Sequence, residues 1–190
     1  MSQEKVVLDE DDVRRTLVRI AHEIVEKNPD GQVALVGIHR RGAHLATRLH
    51  RLVSDLVEAE LPAGEIDIAF YRDDLATREA PEVRSSHLPF RLEDHTIVLV
   101  DDVLYTGRTV RAAIEALFDY GRPARVQLAV LADRGHRELP IRPDYTGKNL
   151  PTARDERVYV RLEEVDGLDE VAIGEAAPVG AAHSNGEASQ

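Results

Sequence analysis

The stretch "IVLVDDVLYTGRTVRAA", Ile97 to Ala113, decides the fold. It opens with an apolar run, Thr96 to Val100, of the length and β-branched content of a buried strand. Two adjacent carboxylates, Asp101 and Asp102, follow at its end. A short hydroxyl-bearing loop with one glycine then leads into a helix read over about Thr109 to Tyr120. Strand, loop and helix in this order are a unit of an α/β fold, whose ligands bind beyond the carboxyl ends of the strands. The backbone N–H groups of Thr106-Gly107-Arg108-Thr109, at a helix start, favour an anion. Gly107 allows close backbone approach, and Thr106 and Thr109 add hydroxyl donors. Carboxylates repel phosphate but accept well from vicinal hydroxyls. One loop thus offers a phosphate seat beside a seat for a diol, the two features of a ribose 5-phosphate. Helix capping alone is a poorer account of the acids, since a cap needs one Asp nearer the helix rather than two side by side.

The rest of the chain reads as alternating elements. Asp9 can cap a helix reaching about Asn28, with Val13, Leu17, Ile20, Ala21 and Ile24 as its apolar stripe. Asn28-Pro29-Asp30-Gly31 ends it. Strands are expected at Val33–Gly37, Glu65–Arg72 (with Ile66, Ile68 and Phe70 on one face), Val126–Leu131, Arg157–Leu162 and Val171–Gly174. A second helix is expected from about Ala43 to Glu58. The polar stretch Asp73 to Pro89 reads as a long loop, which at that length is more often functional than inert. This alternation predicts an α/β protein with a doubly wound, mostly parallel sheet. The expected organisation is one domain over 1–174 and a disordered acidic tail over 175–190.

Composition excludes several classes. With no cysteine among 190 residues, disulfides and thiolate catalysis are ruled out. No apolar run approaches the roughly 20 residues that span a bilayer, and Met1–Glu10 is too polar for a signal peptide, so a cytoplasmic location is expected. No G-x-x-x-x-G-K-[ST] loop or dinucleotide fingerprint is present. No His, Asp and Glu set has the spacing of a tight metal site. The net charge of −11 argues against non-specific nucleic-acid binding. It is unevenly spread, however. Glu163–Gln190 holds seven acidic residues and no Lys or Arg, whereas Gly121–Leu162 carries nine Lys or Arg against five Asp or Glu. A local basic face is therefore compatible with the overall acidity.

"VLVDDVLYTGRT" resembles the phosphoribosyl-pyrophosphate (PRPP) signature of type I phosphoribosyltransferases. Three other stretches narrow the likeness: "RIAHEIVEKN" (Arg19–Asn28), "IDIAFYRDDL" (Ile66–Leu75) and "GRPARVQLAVLADRGHRELPIRPDYTGKN" (Gly121–Asn149). Together they resemble the bifunctional pyrimidine-operon regulators that are also uracil phosphoribosyltransferases, over about Val6 to Ile173. The "DRGHRELPIR" block, Asp133–Arg142, separates this family from hypoxanthine and orotate phosphoribosyltransferases. The resemblance implies the type I fold with a flexible lid loop over Leu75–Phe90. It implies conversion of uracil and PRPP to UMP and diphosphate, with Mg²⁺ carried on PRPP. It assigns the ribose and catalytic roles to Asp101, Asp102 and Arg134. PRPP or nucleotide contacts would come from Arg40, Arg41, Arg72, Val103, Leu104, Tyr105, Thr106, Gly107, Arg108, Thr109 and Arg134, and backbone groups near Val158 would read the base. Arg40 stands where the family usually has Thr. A homodimer or larger homo-oligomer is implied, one of whose faces binds a leader-mRNA stem-loop when uridine nucleotide is present. Arg15, Arg19 and His22, at i, i+4 and i+7 of the first helix, would join Arg137, Arg142 and Lys148 there. Two other readings stay open: an RNA regulator with vestigial catalysis, and a phosphoribosyltransferase for another nucleobase.

Overall fold

The structure is a computed structural model that describes residues 4–71 and 86–175. Its elements are β1 (Lys5–Leu8), α1 (Glu10–Lys27), β2 (Val33–Ile38), α2 (Arg41–Val57), β3 (Ala63–Ile66), β4 (Thr96–Leu104), α3 (Arg108–Phe118), β5 (Arg125–Asp133), β6 (Tyr145–Asn149), β7 (Glu156–Arg161), α4 (Glu163–Asp166) and β8 (Glu170–Glu175). Five strands form one sheet in the order β3-β2-β4-β5-β6, every neighbouring pair parallel. The expected α/β class with a mostly parallel sheet is thus observed. β1, β8 and β7 form a second, antiparallel sheet of three strands. Among the described residues, no helix is long and apolar enough to cross a membrane.

Periodicity placed the interior elements well. Asp9 caps α1 through a reciprocal pair: its carboxylate accepts from Asp12 N–H at 2.8 Å, and Asp12 accepts from Asp9 N–H at 3.4 Å. The stripe Val13, Leu17, Ile20, Ala21 and Ile24 is fully buried. It joins α2, the α1-facing side of the parallel sheet and the inner face of the second sheet in one core, while α3 covers the opposite face with a second. A polar knot sits in the first of these. Asn28 Nδ2 donates to Ile24 O, Gln127 Oε1 and Tyr145 OH, and Tyr145 OH donates to Gln127 Oε1 at 2.9 Å. All three side chains are buried, and their mutual bonds offset the desolvation that burial imposes.

Three expectations need correction. The strand read over Glu65–Arg72 is β3, which ends at Ile66. Asp67 Oδ1 accepts from Ala69 N–H at 2.8 Å, and that local bond turns the chain into a single 3₁₀ turn, Ala69–Tyr71. Phe70 consequently lies 72% exposed instead of sharing a face with Ile66 and Ile68. Second, β1 and β6 were not anticipated, because Lys-Val-Val-Leu is short and Tyr-Thr-Gly-Lys-Asn lacks apolar alternation. Third, Arg157–Leu162 and Val171–Gly174 are strands, as β7 and β8, but they lie outside the parallel sheet. Glu175 closes β8 opposite Glu156, and 176–190 lie outside the described residues. So do Arg72 and most of the loop read over Leu75–Phe90. Near that loop's end, His87 and Glu65 exchange backbone hydrogen bonds of 2.9 Å.

Candidate active site

β4 overshoots its neighbour. Its register with β2 stops at Gly37 opposite Val100, whereas its pairing with β5 continues through Asp101 and Val103 to Leu104. Asp101 and Asp102 therefore belong to the strand itself, on the stretch β2 leaves uncovered. Asp101 is buried and Asp102 half-buried. Asp101 Oδ1 accepts from Asp102 N–H at 2.9 Å, and Asp102 Oδ1 accepts from Val103 N–H at 2.8 Å. Asp102 Oδ2 has no hydrogen bond among the described residues.

The loop after β2 closes the crevice from the other side. A Cβ on Gly42 would lie 2.4 Å from Val100 O and 3.2 Å from Asp101 Cα, so only glycine lets the start of α2 press against the acidic strand end. The His39–Arg40 peptide is cis. Beside this loop lies a cleft of about 720 Å³ lined by His39, Arg40, His44, Thr47, Glu65 and Glu164, among others. His39 Nε2 is buried without a hydrogen-bond partner, 3.6 Å from Glu65 Oε1. Arg40 is exposed. Arg41 turns away and clasps Asp166 through Nε (3.2 Å) and Nη2 (2.8 Å).

After Leu104 the chain turns through Tyr105, Thr106 and Gly107, the last at φ +93°, into α3. The N–H groups of Thr106, Gly107, Thr109 and Val110 donate to no acceptor among the described residues. The carbonyls of the turn are all taken: Leu104 O accepts from Arg134 N–H (3.1 Å), Tyr105 O from Arg137 Nη1 (2.8 Å), and Thr106 O from Glu138 and Leu139 N–H (3.0 and 3.1 Å). Val103 is half-buried, and Arg108 is exposed with Nε on Glu138 at 2.8 Å. Donors unspent at a helix start favour an anion.

Arg134, at the end of β5, is buried. Its guanidinium lies 4.0 Å over the Tyr105 ring and donates to Thr152 Oγ1 (3.2 Å) and Glu156 O (2.9 Å). It therefore ties the turn to the start of β7, where Val158 sits, and positions both. The other cationic residues divide. Arg15, Arg19 and His22 are exposed along α1, with Arg15 on Asp12 (2.8 Å) and Arg19 on Glu23 (2.6 Å) and Gly147 O (2.6 Å). Lys148, next to Gly147, donates to Val7 O (3.2 Å). Arg142 is exposed, but Arg137 is folded inward against the turn.

The acidic residues after β7 fasten the antiparallel sheet to α2, a role that sequence reading missed because they look like tail charge. Arg48 on α2 grips Glu164 (2.9 and 2.6 Å) and Asp169 (2.6 and 2.9 Å). The Arg48 hydrogen bond holds the Glu164 carboxyl below its ordinary range, and the Arg41 bond does the same for Asp166. For Asp169, burial pushes upward, but Arg48 and the Glu163 N–H together outweigh it and the net shift is downward.

A parallel sheet with an acid pair at the end of one strand, a turn of unspent N–H donors after it and a second loop packed against the strand end is the arrangement expected of a phosphoribosyltransferase. A family model described as phosphoribosyl transferase domain matches residues 7–161. Solved structures agree on the fold. The hypoxanthine phosphoribosyltransferase of Trypanosoma cruzi superposes with TM-score 0.69 at 19% identity, over 91% of this chain and 97% of that one. That of Staphylococcus aureus gives 0.67 at 21%, over 92% and 93%. Curated relatives are far nearer in sequence: the bifunctional protein PyrR of Roseiflexus sp. is 60% identical over 86% of this chain and 91% of its own, and that of Chloroflexus aurantiacus 58% identical over 91% and 96%. The chain belongs to the PyrR family of phosphoribosyltransferases.

Proposed function

We propose that the protein transfers the 5-phosphoribosyl group of PRPP to uracil, giving UMP and diphosphate, and that it also binds a leader-mRNA stem-loop when a uridine nucleotide fills the same site. The observation that supports the catalytic half is the turn Tyr105–Gly107, whose carbonyls are engaged while the N–H groups of Thr106 and Gly107 donate to no acceptor among the described residues, directly after the strand end that carries Asp101 and Asp102. A 5-phosphate fits the N–H groups and the ribose diol fits the acids. As the anomeric C–O bond to diphosphate breaks and the bond to uracil N1 forms, the ribose gains positive charge. Two carboxylates held in place beforehand offset that charge without reorganising. The N1 proton leaves to solvent, and orientation supplies much of the rate. Diphosphate departs toward the loop His39–Gly42, which carries Arg40 and Arg41.

The donor set suits Mg²⁺ only in part. Among the described residues no three His, Asp or Glu side chains converge as ligands. Asp101 and Asp102 would supply at most a fraction of an octahedral shell, and the oxygens of PRPP and water the remainder. When bound, the ion would neutralise the diphosphate as it leaves.

The RNA face we assign to Arg15, Arg19 and His22 on α1, with Lys148 beside them and Arg142 at the approach to β6. Arg15 and Arg19 already form exposed pairs with Asp12 and Glu23, which are worth little in water and exchange readily for phosphate.

A paired assay on one preparation tests both halves. Asp102→Asn should lower UMP synthesis about 10²–10³-fold, the scale of losing a preorganised electrostatic group. Stem-loop affinity in saturating UMP should stay within about threefold, since that carboxylate contacts no phosphate of RNA. Unchanged turnover in the variant would remove the ribose role of the acid pair. A wild-type protein that ignores the stem-loop with UMP present would remove the regulatory half.

A further inference from the structure

The segment Asp133–Arg142 wraps the outer side of the phosphate turn, and one side chain does most of the holding. Arg137 donates from Nη1 to Tyr105 O (2.8 Å) and, at longer range, to Gly135 O (3.4 Å) and Leu104 O (3.5 Å). Its Nε donates to Ile141 O (3.0 Å), and its Nη2 reaches Asp133 Oδ2 at 2.5 Å. The side chain is 22% exposed. Leu139 and Ile141 pack behind Gly107, both 3.4 Å from where a Cβ would stand.

A trans peptide points its carbonyl and the next residue's N–H in opposite directions. Pinning the carbonyls of Leu104, Tyr105 and Thr106 outward therefore aims the N–H groups of Tyr105, Thr106 and Gly107 at the opposite side. We infer that Arg137 is a positioning residue for the reaction: its guanidinium holds the turn in the one arrangement that presents its N–H groups to the 5-phosphate. This deepens the proposed function and rests on its assignment of the phosphate to this turn. It also gives the "DRGHRELPIR" block a mechanical purpose, since Arg134 N–H and the Glu138 and Leu139 N–H groups engage the remaining carbonyls. An arginine suits the task because one planar fork reaches several carbonyls and a carboxylate at once.

The test measures binding of ribose 5-phosphate and of inorganic pyrophosphate by calorimetry for wild type, Arg137→Ala and Arg137→Lys, with circular dichroism as the check on folding. Ribose 5-phosphate reads the turn without a base, and pyrophosphate reads the loop after β2. Arg137→Ala should weaken ribose 5-phosphate about tenfold or more, the scale of one charge-assisted hydrogen bond, and leave pyrophosphate within about twofold. Arg137→Lys should fall between, because an ammonium cannot span the same set of acceptors; it also carries the test if the alanine variant does not fold. Wild-type affinity for ribose 5-phosphate in both variants, or an equal loss of both anions, would overturn the role of Arg137 while leaving the phosphate seat intact. Failure of the wild type itself to bind ribose 5-phosphate would overturn the seat, and with it the proposed function and this inference together.

Discussion

Gly42 shows how narrowly the crevice is set at the scale of one residue. With a Cβ 2.4 Å from Val100 O, alanine there cannot be accommodated without moving α2 off β4. Such a shift separates the loop after β2 from Asp101, and displacements of about 1 Å at a reacting centre can lower rates about 10²-fold. Gly42→Ala should therefore reduce UMP synthesis about 10–100-fold while leaving the circular dichroism spectrum near wild type; full activity would show that the close approach of loop and strand is dispensable. The acid pair and Gly107 were legible in the linear sequence, because strand, carboxylates and turn are contiguous and their spacing is local. The commitments of Arg137 and Arg134 were not. Their acceptors are backbone carbonyls up to 33 residues away, and a carbonyl leaves no signature in an amino-acid pattern.

At the scale of elements, the short α4 and its neighbours join the antiparallel sheet to α2 through Arg48 and Arg41. These carboxylates are held below their ordinary range, so the folded state binds protons less readily than the unfolded chain. Their contribution is complete above the usual carboxylate range, near pH 4–5, and is lost as pH falls through their depressed values. Wild-type melting temperature should thus drop steeply between about pH 5 and 3, and Arg48→Ala should show a shallower drop from a start about 1–2 kcal/mol less stable at neutral pH. Parallel melting curves for the two proteins across that window would show that Arg48 is not the fastening. Helices were easier to foresee than edges. α1 announces itself by its cap and its stripe, whereas β1 and β6 are strands only because a neighbour offers them hydrogen bonds, and β3 ends early because Asp67 captures a backbone N–H.

For the molecule as a whole, two cores flank one parallel sheet, and the Asn28–Gln127–Tyr145 knot ties the end of α1 to β5 and β6 within the first. Burial pushes the Tyr145 hydroxyl up, so it stays protonated and donates throughout the physiological range. Tyr145→Phe leaves buried Gln127 and Asn28 each short of a partner and should destabilise the protein by about 1–2 kcal/mol, read by urea denaturation, with PRPP and uracil kinetics unchanged. A variant as stable as wild type would mean that the remaining two side chains satisfy each other.

By itself the sequence determined the alternating α/β order, the buried stripe of α1 and the run of strand, acid pair and turn over Asp101–Gly107. Those features arise from periodicity and from groups adjacent along the chain. Only the tertiary structure decided that β7 and β8 leave the parallel sheet for a second one. It alone turned Arg137 inward and Arg41 away, and made the trailing acids a fastening. Each of those outcomes depends on which distant backbone and side-chain groups meet once the chain is packed, and pairwise meeting across space is not encoded in any local pattern.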